Sequence, residues 1–415
     1  MRVLVIGGGV IGLWSAVGLA EAGADVTVLD AGPQAGFASP AAAGWVVPAL
    51  SAPLSGPGVL LHSARQALHR EAPFSVAPRL TSTLLRWIVG FVRSGSAQRY
   101  AAGLRAVLDL GAGCVDDFAR LQDRADLELR HTGLLMAAVT QAGLDEVAHL
   151  AEATTAAGYK GGYDILDGAA ARSREPALGP AVSGAVHAVD EVQVRPEQVL
   201  RALQEQLVAA GGRLVNATVS RLRPGWDVET SVGRFSADRL LLAAGAWTTE
   251  LLAVLGVRIP LLAATGYSIT TRGTGLAPRV AVKLVEPSIA VTPFADGVRV
   301  AARLDLGRSG GPITERRLAT ILDRTTPYFA DWRPGSSTAT FAGMRPATPD
   351  SLPLIGAVPG RSGLYVATGH GMLGLTLAPG TARHVVPLVL DDVRSPELRP
   401  FALERYLLSG AWRRP

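Results

Sequence analysis

Three glycines spaced Gly7-x-Gly9-x-x-Gly12 follow the short β-branched run Arg2 to Ile6, and a carboxylate, Asp30, closes the next such run 18 residues after Gly12. Between a strand and a helix, this spacing permits a tight turn, close backbone approach to a pyrophosphate and intimate helix–strand packing. The helix N-terminus, where Val10 and Ile11 come first, offers unpaired N–H groups and partial positive charge to the same phosphates. Asp30 is placed to accept hydrogen bonds from an adenosine ribose, and its charge argues against a 2′-phosphate. The pattern predicts a bound dinucleotide and leaves FAD and NAD both open.

The elements that must position these residues are legible around them. A strand over 2–6, a helix from about Val10 to Ala22 ended by Gly23, and a strand from Ala24 to Asp30 form a βαβ opening with a parallel sheet. Residues 33–58 are rich in Gly, Pro, Ser and Ala and read as a long functional loop, and 59–128 read as mostly helical. Within that stretch Leu84 to Val92 is apolar but too short to span a bilayer. It is expected to pack on the protein, with docking on a membrane as the lesser option. The amphipathic run Arg195 to Ala210 reads as a helix, followed by strands near 213–219 and 239–243. Short strand-like runs between Pro260 and Ala302, separated by Gly and Pro, suggest an antiparallel sheet, and a strand at 364–367 leads to a helix over 377–389.

The fold class expected is therefore α/β plus α+β: a discontinuous Rossmann-like nucleotide domain (1–50, 191–258 and 340–415) with an inserted substrate domain on an antiparallel sheet (51–190 and 259–339). A chain of 415 residues is long enough for two cores. Hydrophobic residues at 48% against 18% charged exclude global disorder. The net charge of +5 comes from scattered arginines and only two lysines, Lys160 and Lys283, so no nucleic-acid partner is expected. One cysteine, Cys114, excludes a disulfide framework and suits a reducing cytoplasm, where the protein is expected to reside. The histidines do not pair at ligand spacing, so no metal is expected, and no HExxH, GxSxG or GxxxxGK[ST] motif competes.

Near the C-terminus, Gly343-Met344-Arg345-Pro346-Ala347-Thr348-Pro349-Asp350 leads to Leu352-Pro353-Leu354-Ile355-Gly356, and then to Thr368-Gly369-His370-Gly371-Met372-Leu373-Gly374. With the opening glycines and Ala243-Ala244-Gly245-Ala246-Trp247, these segments resemble the FAD-dependent D-amino-acid oxidase superfamily, closest to the small-subunit branch of D-amino-acid dehydrogenases. The loop 37–48 is similar to that family's loop beside the flavin, although Ala42 stands where an asparagine is usual and Trp45 is atypical.

The resemblance implies noncovalent FAD, since Cys114 is not placed like the flavin-linking cysteine of sarcosine oxidases. It implies that Ser39, Ala43 and Gly44 lie along the flavin, that Val219 meets the adenine, and that Gly245 approaches the pyrophosphate. Gly343, Gly369, Gly371, Met372 and Gly374 would line the flavin, the later glycines turning N–H groups and a helix dipole toward negative charge on N1 and C2=O. Arg345 is implied as the clamp on a substrate carboxylate, a role that suits a rigid, permanently charged fork; a buried structural arginine paired with Asp350 or with a carbonyl is the competing reading. Tyr267 is a candidate pocket residue, and equally a core tyrosine. His370 is expected to be positional rather than a proton carrier, because the Cα hydrogen leaves as hydride to flavin N5. The implied activity is oxidation of a D-amino acid or cyclic imino acid to the imino acid, then 2-oxo acid and ammonia, with O₂ or quinone as acceptor. A glycine or sarcosine oxidase, or a flavoprotein acting on a carrier-bound or RNA-bound amine, are the alternatives.

Overall fold

The computed structural model describes residues 1–32, 36–56, 74–76, 81–223, 225–273, 275–307 and 313–407. Its first sheet has six strands in the order Leu354–Ala357, Leu364–Thr368, Arg239–Leu242, Arg2–Ile6, Asp25–Asp30 and Arg213–Asn216. All neighbours run parallel except Leu354–Ala357, which is antiparallel at one edge. The inner strands Arg2–Ile6, Arg239–Leu242 and Leu364–Thr368 are apolar at nearly every position because both faces are covered, while the edge strand Arg213–Asn216 is largely exposed. Val3, Val5, Val26 and Val28 pack under the helices Val10–Glu21, Pro196–Ala209 and Gly374–Asp391, whereas Leu4, Ile6, Leu29, Leu240 and Leu242 face the other way. The βαβ opening and the closing strand–glycine–helix unit thus take the places expected of them.

Among the described residues the second sheet has nine strands. Along its main path they run Ser337–Ala347, Leu262–Thr271, Gly297–Leu306, Ile289–Phe294, Ala281–Leu284, Leu134–Ala138, Gly184–Ala188 and Tyr163–Asp167, with Phe74–Val76 beside Gly297–Leu306. Pairing is antiparallel apart from Leu134–Ala138 with Ala281–Leu284 and Phe74–Val76 with Gly297–Leu306.

Packing crosses the expected domain boundaries twice. Residues 340–347, assigned above to the nucleotide unit, pair with the strand Leu262–Thr271 from Leu262↔Ala347 to Ile269↔Thr340 and so belong to the second sheet. The helices Ala97–Leu110 and Cys114–Gln122, assigned to the inserted unit, send Val107, Leu110, Cys114, Phe118 and Leu121 into the core beneath the first sheet. An amphipathic period defines a face on each helix; it does not say which core the face enters. The long loop is more ordered than its composition suggests: Trp45–Val46 pairs with Val192–Gln193, and Pro48–Leu50 forms a 3₁₀ turn. Of the stretch expected to be helical, 59–73 and 77–80 lie outside the described residues.

The apolar segment forms the helix Ser82–Ser94, which begins with Thr81 Oγ1 accepting from the Leu84 N–H. Leu84 and Trp87 are buried, and the Trp87 Nε1–H donates to the Ala347 carbonyl at 2.9 Å. The segment therefore packs on the end of the strand that carries Arg345. Leu85, Val89 and Val92 face outward. Among the described residues no helix is long and apolar enough to cross a membrane.

Candidate active site

The glycine turn is built as its spacing requires. Gly7 has φ +114°, and a side chain on Gly7 or Gly12 would collide with the Ala243 carbonyl or the Gly7 carbonyl respectively. Helix and strand meet this closely only because both residues are glycine. Asp30 braces the turn: its Oδ2 accepts from the Gly8 N–H at 2.6 Å and its Oδ1 from the Gly32 N–H at 2.9 Å. A carboxylate oxygen accepts more than one hydrogen bond, so both retain capacity for ribose hydroxyls. The Ala217 N–H donates to the Asp30 carbonyl at 2.7 Å, which brings the start of Val219–Arg223 to this end of the sheet.

Two helix N-termini converge beside the turn. Ser39 Oγ accepts from the Val10 N–H at 3.1 Å, and a Cβ on Gly374, first residue of Gly374–Asp391, would meet only Val10 Cγ1 at 3.9 Å. Ile11, Ala43 and Met372 lie near the surface, Met372 being 56% exposed. At Gly245 (φ +52°) and Gly371 (φ +54°) an added Cβ would meet nothing within 4 Å, so both backbones border open space. An acidic residue, paired positive helix ends and bare glycine backbone around that space fit a dinucleotide.

The loop 36–44 joins this cradle to the second sheet. Gly36 bridges Gly343, the Met344 N–H donates to the Gly36 carbonyl at 2.8 Å, and a Cβ on Gly343 would lie 2.7 Å from the Ala41 Cβ. Gly44 has φ +89°, and its carbonyl accepts from the Val194 N–H at 2.7 Å. At the other end of the strand Ser337–Ala347, the Gly371 N–H donates to the Pro346 carbonyl at 3.1 Å, and Ala347 bridges His370. The segment carrying Arg345 is thus bonded at both flanks to the two loops expected along the flavin.

Strand alternation decides which side chains meet there. Gly266 and Gly343 are opposite one another, Arg345 is opposite Ala264, and the Arg345 guanidinium lies across Gly266, occupying the volume a side chain there would fill. Burial lowers that guanidinium to about 10, which leaves it charged at neutral pH. Asp350 is committed elsewhere: Arg405 Nε and Nη2 donate to its carboxylate at 2.8 and 3.3 Å. Of the partners expected of a structural Arg345, Asp350 is thus held by Arg405.

Of the two readings of Tyr267, pocket residue and core tyrosine, its position fits the second. One residue along from Gly266, it points to the opposite face, where it is 3% exposed among Ile269, Val298, Val300 and Ala302, and its hydroxyl accepts from Arg317 Nη1 at 2.7 Å. It is a core tyrosine. His370 is 4% exposed, its Nε2 lies 2.9 Å from Thr381 Oγ1, and burial depresses it to about 3. A ring held neutral across the physiological range suits a positional role.

Sequence reasoning missed two residues. Gly266 interrupts the strand-forming run Leu262–Thr271, a position where glycine marks close approach by another group, and that signal was available. Replacing Gly266 by alanine should push the guanidinium aside and lower kcat/KM by about 10- to 100-fold while flavin content and melting temperature stay near wild type. Steady-state kinetics beside the visible spectrum checks this; unchanged kcat/KM would mean that the guanidinium is not needed in that place. The second residue, Arg299, is 1% exposed on the same face of the sheet and had no local signal beyond an arginine in an apolar strand.

Residues 2–388 match the family model described as FAD dependent oxidoreductase. The chain is 34% identical over 435 residues to a D-amino acid dehydrogenase of Rhodopseudomonas palustris, covering 99% of each chain. Its fold is similar to glycine oxidase from Geobacillus kaustophilus (TM-score 0.74, 23% identity, 98% of this chain and 99% of that one). It is also similar to the FAD-bound L-alpha-glycerophosphate oxidase from Mycoplasma pneumoniae (TM-score 0.72, 17% identity, 95% and 96%).

Proposed function

Since the chain belongs to the FAD dependent oxidoreductase family, we propose that it oxidises a D-amino acid or a cyclic imino acid to the imino acid, which water then converts to the 2-oxo acid and an amine or ammonia. The observation that carries this reading is the buried guanidinium of Arg345 lying over Gly266, on a strand bonded to both loops of the nucleotide cradle. FAD, held by Asp30, the glycine turn and the 369–374 loop, would supply the acceptor for the hydride that leaves Cα.

The chain's own residues have simpler tasks. Arg345 binds the carboxylate through two N–H groups and so orients Cα. Gly266 leaves room for that fork, and Gly343 lets Ala38 and Ala41 close over the strand. Asp30 and the glycine turn hold the adenosine and pyrophosphate, while the N-termini at Val10 and Gly374 place partial positive charge beside the cofactor. Neutral His370, fixed by Thr381, shapes the 369–374 loop without carrying a proton.

The electrons pass on to O₂ or to a quinone. A panel of D- and L-amino acids, proline, glycine and sarcosine, run with O₂ and with an artificial acceptor, tests the assignment. Rapid turnover of D-amino acids with the artificial acceptor supports it, and turnover confined to glycine and sarcosine with O₂ would replace it with the oxidase reading. Cys114 is buried in the first core and its thiol is pushed up by that burial, so it is unsuited to a flavin link. Acid or heat denaturation should release all the yellow flavin; colour remaining with the precipitated chain would contradict noncovalent binding. A lone, buried cysteine also supports a reducing, cytoplasmic setting.

A further inference from the structure

Arg299 sits in the strand Gly297–Leu306, opposite Thr270 on one neighbour and Thr292 on the other. Its contacts reach three separate parts of the fold. Nε donates to Thr270 Oγ1 at 3.2 Å, within the sheet. Nη1 donates to the carbonyls of Pro40 at 3.4 Å and Ala42 at 3.2 Å, in the loop beside the cradle. Nη2 pairs with Glu197 Oε1 at 2.5 Å, in the first turn of the helix Pro196–Ala209. The rings of Phe294 and Phe341 lie 5.2 and 5.3 Å from its guanidinium carbon. A planar cation with five donors suits this set of acceptors and aromatic faces; a single ammonium cannot serve them all.

The loop is otherwise held by Ser39 against Val10 and by Ala41 against Gly343. Pro40, between those anchors, and Ala42, directly after them, are the two that Arg299 grips. We infer that Arg299 is a positioning residue that locks the 39–42 loop onto the face of the sheet carrying Arg345, so that the nucleotide cradle and the carboxylate clamp keep one fixed separation. This rests on the reading of the loop as flavin-facing and of Arg345 as the clamp.

The test compares Arg299→Met with Arg299→Lys. The FAD dissociation constant is measured on apoprotein by flavin fluorescence, the apoprotein's urea midpoint separately, and kcat and KM at saturating FAD. Arg299→Met should raise the FAD dissociation constant about 10- to 100-fold and lower kcat, with substrate KM changed by less than about threefold. Arg299→Lys keeps a charge for Glu197, so it should recover most of the urea midpoint while FAD affinity and kcat stay depressed. A purely structural ion pair gives the opposite: lysine restores both, and that result overturns the inference. If Arg299→Lys fails to fold, Thr270→Val, which removes the acceptor of Nε, must weaken FAD severalfold; unchanged affinity overturns the inference equally. Gly9→Leu serves as the control. FAD lost there but unchanged in Arg299→Met overturns the positioning role alone, and FAD unchanged in both overturns the nucleotide-site reading beneath it.

Discussion

Arg345→Met should leave the protein folded and yellow, yet lower kcat/KM by roughly 30-fold to several-thousand-fold, the equivalent of about 2–5 kcal/mol of transition-state stabilisation. The size follows from where the guanidinium lies. Burial already lowers it to about 10, so water does little to solvate it, and a substrate carboxylate brought there gains a charge-assisted, two-pronged contact with little competing solvation. Folding should survive because the ion pair between Asp350 and Arg405 in the same motif stays in place. Arg345→Lys should recover only part of the loss, since an ammonium cannot form the fork. Carboxylate inhibitors that perturb the wild-type flavin spectrum should have no such effect on the Met variant. Normal turnover in that variant would move carboxylate recognition elsewhere.

Gly9→Leu should abolish flavin retention. Even a bare Cβ there would lie 3.1 Å from Ser39 Oγ, and the rest of a leucine would enter the space between the glycine turn and the loop, where the pyrophosphate must approach backbone N–H groups. The measurement is the flavin-to-protein ratio after gel filtration: essentially no flavin is expected, against a full complement for wild type. Retention at the wild-type ratio would show that the dinucleotide does not cross this turn.

Local signals made much of this legible in the sequence. The strand–glycine–helix units at both ends of the chain are short-range patterns in which residue type and spacing suffice, and the Asp30 position follows from them. Pairings made at a distance were less legible. Tyr267 and Gly266 are neighbours on one strand, and alternation puts them on opposite faces; which face meets the cradle depends on what the sheet packs against. Gly343 to Ala347 carries no strand period, with its Gly and Pro, yet the strand continues through it: Gly343 faces Gly266, and Pro346 is tolerated because this is an edge strand. The grip of Arg299 on Pro40 and Ala42 joins residues more than 250 positions apart, and no periodicity reports such a contact.

The most direct test of the central claim is anaerobic. With O₂ removed, the flavin-loaded protein is mixed with each member of a panel of D- and L-amino acids, and the visible flavin band is followed while 2-oxo acid and ammonia are assayed. The account predicts that D-amino acids bleach the band in the wild type, with product stoichiometric to flavin, and that the same additions leave Arg345→Met largely oxidised. A band that no amino or imino acid bleaches, in protein whose flavin dithionite reduces readily, would contradict it.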